Sequence, residues 1–168
     1  MLRRFLDLLY GSVPGDFPSA YGIDESIQRL SAVTDRGRVF DFPRHEVAVG
    51  HVSRDRVSLY RVNPRSQNSL KPHYTGEFRE VDARVVLVGR FGMHRWARAF
   101  MTVWLGFCAV WTTVAAGIVV VHDASVWWLP LAGLLMLTFG VTFVAFGKRL
   151  SRDDVPWLSR VIQSALSK

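Results

Sequence analysis

The chain has 168 residues, 49% of them hydrophobic, and carries 21 Lys and Arg against 14 Asp and Glu, a formal net charge of +7. A pI near 10.3 would point to nucleic acid in a soluble protein. Much of the excess, however, stands beside two long apolar runs, at Arg90, Arg95, Arg98, Lys148, Arg149 and Arg152, so it reads as bilayer flanking and a nucleic-acid partner is set aside. The single cysteine, Cys108, allows no intrachain disulfide and gives no sign of an oxidising-compartment scaffold.

The opening Met1–Val13 has an Arg pair but an apolar region too short for a signal peptide and interrupted by Asp7. The segment ahead of the first apolar run is therefore expected to stay on the side where it is made. Leu2, Phe5, Leu6, Leu8 and Leu9 form a short apolar stripe, read as an amphipathic helix docked on the domain or on the membrane surface. In Gly11–Gly22 the residues Pro14, Gly15, Pro18 and Gly22 predict a loop with no regular element. Asp24 is expected to cap a helix over Glu25–Val33 with Ile27 and Leu30 on one face, ended by Gly37.

From Val39 the pattern turns to alternation. Val47–Val49 reads as a short strand, and Arg56–Val62 as a strand with Val57, Leu59 and Arg61 on one face. Asn63–Pro72 is expected to be the longest loop. Tyr74–Val81 and Arg84–Met93 predict a hairpin turning at Asp82-Ala83, in a register that pairs Glu80 with Val85, Phe78 with Leu87, Gly76 with Gly89 and Tyr74 with Phe91. The facing glycines admit two readings, the close approach of a backbone or large ring, or a bend. Phe91–Arg98 then joins sheet to membrane with no flexible linker.

Two runs, Ala99–Val121 (23 residues) and Val126–Gly147 (22 residues), contain no Asp, Glu, Lys, Arg or His. As helices they would be roughly 33–35 Å long, enough for a hydrocarbon core of about 30 Å. Arg90, Arg95 and Arg98 precede the first, Lys148, Arg149 and Arg152 follow the second, and the connection His122–Ser125 has no Lys or Arg. That asymmetry predicts both termini in the cytoplasm. Trp96 and Trp157 are expected at the inner interface, Trp127 and Trp128 at the outer one. Gly133, Gly140 and Gly147 recur every seven residues, and Gly106, Ala109, Thr113 and Gly117 cluster on one side of the first run. Both stripes are read as packing faces, within the hairpin, against a partner helix or against a second copy. The threonine hydroxyls are expected to bond to their own helix backbones. Beyond the second run, Asp154 is read as the N-cap of an amphipathic helix whose Leu158, Val161, Ile162, Ala165 and Leu166 lie on the inner membrane interface or on the domain.

The expected fold class is therefore α+β. It comprises a small β-rich cytosolic domain with short helices (1–98), a two-helix transmembrane hairpin (99–121 and 126–147, joined by 122–125) and a cytosolic amphipathic tail (148–168). No catalytic signature appears. The histidines His45, His51, His73, His94 and His122 lack zinc-site spacing, and there is no nucleophile elbow, phosphate loop or dinucleotide fingerprint. No cofactor or metal is expected.

Val86–Phe107, with Val-Gly-Arg-Phe-Gly-Met-His leading into Phe100-Met101 and Trp104-Leu105-Gly106-Phe107, resembles a group of uncharacterised bacterial inner-membrane proteins, as do Tyr21–Leu30 and Asn68–Pro72. The resemblance implies a bacterial integral membrane protein and supplies no activity. The reading that results is a non-enzymatic, membrane-anchored interaction or regulatory module with the bilayer and a membrane or cytosolic protein as partners. Its alternatives are a subunit of an oligomeric channel or transporter, and an enzyme acting on lipid near Tyr74, Phe78 or Phe91.

Overall fold

The computed structural model describes residues 11–35, 45–64, 71–121 and 124–167. In chain order the elements are β1 (Val13–Pro14), β2 (Phe17–Pro18), α1 (Ile23–Ala32), β3 (Thr34–Asp35), β4 (Val47–Val52), β5 (Val57–Val62), β6 (Pro72–Val81), β7 (Arg84–Met93), α2 (Arg95–Val121), α3 (Trp128–Leu150) and α4 (Asp154–Leu166). The stripe Leu2–Leu9, Gly37, Asn68 and His122 lie outside the described residues.

The β6–β7 hairpin is the spine of a seven-stranded sheet of order β1-β7-β6-β5-β4-β3, with β2 also on β7. Its register is the expected one, Tyr74 opposite Phe91, Gly76 opposite Gly89, Phe78 opposite Leu87 and Glu80 opposite Val85. Asp82 and Ala83 turn it with φ of 51° and 61°, the left-handed pair that suits the twist of the flanking strands. The strand starts earlier than expected, at Pro72, a position where the missing N–H is tolerated.

Gly11–Gly22 departs from the expected loop. Val13–Pro14 and Phe17–Pro18 pair antiparallel with Phe91–Arg90 and Leu87–Val86, and the Gly15 N–H donates to the Gly89 carbonyl at 3.0 Å. Prolines that would break a central strand are accommodated because this one runs along the sheet edge.

The helix starts are also corrected. α1 begins at Ile23 with Gly22 as N-cap and no side-chain cap bond, so Asp24 lies in the first turn. There Ser26, fully buried, donates its hydroxyl to the Gly22 carbonyl at 2.7 Å. α4 begins at Asp154 with Asp153 as N-cap, again without a side-chain cap bond. The Asp154 carboxylate is instead held by Arg61.

One face of the sheet is covered by α1 and α4. Ile23, Ile27 and Leu30 from α1 meet Leu158, Ile162, Ala165 and Leu166 from α4 over Val57, Leu59, Tyr74, Phe78 and Leu87. The Ala20 N–H donates to the Leu166 carbonyl at 2.9 Å. Of the two expected positions for the tail helix, the domain is the one observed: the chain leaves the β domain at Met93 and returns to complete its core.

Inside that core the facing glycines are explained. The Tyr74 ring lies over them, and its hydroxyl donates to Gly15 O at 2.9 Å and reaches Leu87 O at 3.3 Å. A Cβ on Gly89 would stand 2.6 Å from that hydroxyl and 2.6 Å from the Thr75 carbonyl. The pair serves the close approach of a ring. Burial pushes the Tyr74 hydroxyl's pKa above its ordinary value, with the nearby Asp16 charge adding to the rise.

α2 and α3 are each long and apolar enough to cross a membrane and pack antiparallel. On α3 the seven-residue spacing holds, with Gly133, Gly140, Val144 and Gly147 buried. A Cβ on Gly133 would meet Thr112 Oγ1 at 2.3 Å, and one on Gly140 would meet Trp104 Nε1 at 3.2 Å. On α2 the expected stripe does not meet α3, so of its three readings the one within the hairpin is not observed. Met101, Leu105, Cys108 and Ala115 are the buried residues of α2, Met101 and Leu105 packing with Leu137, Val141 and Val144 of α3, whereas Gly106, Ala109, Thr113 and Gly117 are exposed, and Gly106 and Gly117 have open space where a Cβ would stand. Glycine on one helix suffices for close approach, and the larger α2 side chains fill the groove it leaves. Thr102, Thr112, Thr113 and Thr138 donate to the carbonyls of Arg98, Cys108, Ala109 and Leu134, as expected.

Candidate functional site

Alternation along the strands sends one set of side chains to the core and the other to the opposite face. Register then brings the second set together: Ser58 lies opposite Thr75, Thr75 opposite Arg90, and Tyr60 opposite His73. Among the described residues no helix packs over the centre of this face. It forms a hollow of about 610 Å³, bounded on one side by Asp55-Arg56 and on the other by His94, Arg95 and Arg98 at the start of α2.

The hollow is basic. Arg56, Arg79, Arg90, Arg95 and Arg98 line it against Asp55 and Glu77. Glu77 is engaged by Arg79, and an Arg98 N–H donates to the Met93 carbonyl at 3.3 Å. Arg56, Arg90 and Arg95 form no ion pair among the described residues. Donors therefore outnumber acceptors, which suits the binding of an anion. The groups present hold charge and donate hydrogen bonds, and among the described residues no cluster of three His, Cys, Asp or Glu could hold a metal.

His73 forms part of the wall and is not one of the cations. Its Nδ1 lies 3.1 Å from the Lys71 carbonyl, which can only accept, so the neutral ring carries its proton there. Tyr60 and His94 each stand 4.9 Å from it, centroid to centroid. Burial, opposed by the Lys71 carbonyl bond and aided by the charges of His94 and Lys71, lowers its pKa from 6.5 to about 4. Unfolded His73 takes a proton near 6.5 while the folded ring stays neutral to about 4, so the domain is expected to lose stability as pH falls through that window, by roughly 2–3 kcal/mol at most. Ring NMR of His73 checks the value, and His73→Gln should flatten the pH dependence of unfolding. A ring titrating near 6.5 would contradict this account.

The remaining expected site residues, Trp157 apart, fall at the two ends of the hairpin. Arg95, Trp96 and Arg98 open α2, and Lys148 and Arg149 occupy the last turn of α3, with Arg152 just beyond. Trp127 and Trp128 stand exposed at the far end. Trp157 packs against the domain core with the Arg61 guanidinium 4.9 Å from its ring centre. Arg61, itself largely buried, also pairs with Glu46 at 2.7 Å and Asp154 at 3.1 Å, tying β5 to the start of α4. The rings of Tyr74 and Phe78 belong to the core. Phe91 reaches a smaller hollow of about 190 Å³ that also touches Lys148, Ser151 and Arg152.

The basic hollow was not among the expected sites. Arg95 and Arg98 read as interface anchors, and Arg56 as one charge in a mixed run. The available signal was the wet face of the β6–β7 register, which already sets Thr75 beside Arg90. Comparison with protein families, curated proteins and solved structures finds no match to this chain.

Proposed function

We propose that the chain is a non-enzymatic, membrane-anchored interaction module of a bacterial inner membrane. α2 and α3 span the bilayer, both termini face the cytoplasm, and the β domain is held against the inner surface with its basic face available to a partner. One observation carries this reading: the domain is joined to the apolar pair at two points without slack. A single residue, His94, separates β7 from α2, and three residues separate α3 from α4, whose apolar side closes the domain core. Such coupling fixes which way the basic face looks relative to the helix ends, a property useful to a module that presents a surface and unnecessary for a tethered one. Reporter fusions at both ends should give cytoplasmic signals, and the protein should stay with membranes through alkaline extraction. A periplasmic signal from either terminus, or release by alkali, would overturn the reading.

The alternative of an oligomeric assembly draws on the outward Gly106, Ala109, Thr113 and Gly117 of α2. Crosslinking in native membranes that returns only monomers would remove it.

A further inference from the structure

We infer that the basic hollow on the open sheet face is a binding site for a phosphate group, supplied by the headgroup of an anionic lipid in the leaflet beside it. This deepens the membrane-anchored reading and rests on it. Arg95 and Arg98 belong both to the wall of the hollow and to the first turn of α2, and the uncharged run begins at Ala99. At 1.5 Å of rise per residue, Arg95 stands about 6 Å from the first residue of that run, which is headgroup depth if α2 spans.

The chemistry of the lining agrees. Arg56 and Arg90 are exposed and without an ion pair among the described residues, while Ser58 and Thr75 provide hydroxyls on the floor between them. Guanidinium groups present paired N–H donors that match phosphate oxygens. A volume of about 610 Å³ falls within the range of small-molecule sites. The acids do not cancel the field, since five arginines line the hollow against Asp55 and Glu77, and the pairing of Glu77 with Arg79 leaves Arg56, Arg90, Arg95 and Arg98 against Asp55 alone.

The full chain, reconstituted in nanodiscs of phosphatidylcholine mixed with phosphatidylglycerol, tests this by native mass spectrometry of lipids retained on release. Wild type should retain phosphatidylglycerol preferentially. The double variant Arg56→Gln/Arg90→Gln should retain it roughly 30-fold less well, about fivefold per arginine, while entering discs as efficiently as wild type. A second arm titrates glycerol phosphate against protein in phosphatidylcholine discs and follows the Ser58, Thr75 and Arg90 amides by NMR. Shifts there that vanish in the double variant, with no preference for phosphatidylglycerol, would keep the phosphate site and move its source to solution. Equal retention of both lipids with no glycerol phosphate response, or an unaltered double variant, would overturn the site. Failure of the wild type to enter discs would count against the anchoring itself, and so is distinguishable from failure of the site.

Discussion

Replacing Ile162 with Ala is expected to destabilise the β domain by about 3–4 kcal/mol, within the range for truncating a fully buried branched side chain. Ile162 lies on α4, beyond both apolar helices in the sequence, yet it is fully buried beside Leu158, Leu166, Leu30 and Leu59. Ile162→Asp should go further and unfold the domain, because a carboxylate would be left in an apolar core without a partner. Hydrogen exchange of β6 and β7 amides in detergent or nanodiscs reads the effect, with Leu135→Ala on the exposed side of α3 as a control that leaves those amides protected. If α4 were an independent surface helix, Ile162→Ala would leave the strands unaltered, and that result would refute its place in the core.

Gly89→Ala is expected to cost about 2–4 kcal/mol by overpacking. The added methyl would stand 2.6 Å from the Thr75 carbonyl and 2.6 Å from the Tyr74 hydroxyl. The first neighbour is backbone of the adjacent strand and the second is a ring held by bonds to Gly15 and Leu87, so neither can yield without breaking a contact. Gly106→Ala, where a Cβ meets nothing within 4 Å, should by contrast be nearly neutral. Thermal unfolding of the three proteins in one detergent compares them. Equal midpoints for wild type and Gly89→Ala would show that the ring does not depend on the glycine pair.

Much of the architecture is legible in the residues. Hairpin register follows from two local features together: alternation of period two sets Tyr74 and Phe78 on the same face as Phe91 and Leu87, and the two-residue turn at Asp82-Ala83 selects one pairing among those that do so. The apolar pair follows from length and the absence of charge. The small residues of α2 leave their partner undecided for an equally physical reason: in an apolar helix, small side chains are as compatible with an outward face as with an inward one, and composition cannot tell which side meets α3. Gly11–Gly22 misled because Pro and Gly forbid a central strand but permit a broken one at an edge, and edge position is a property of the assembled sheet.

Local periodicity thus suffices for the strands of the hairpin, the two long helices and the amphipathic face of α4, since each depends on residues within a few positions of one another. It cannot say what that amphipathic face covers, because Ile162 and Leu59 meet only after a long excursion through α2 and α3. Nor can it gather Arg56, Arg90 and Arg95 around one hollow, as they lie on a turn, a strand and a helix start. Those outcomes belong to the tertiary structure, where chain closure and sheet order bring distant residues into contact.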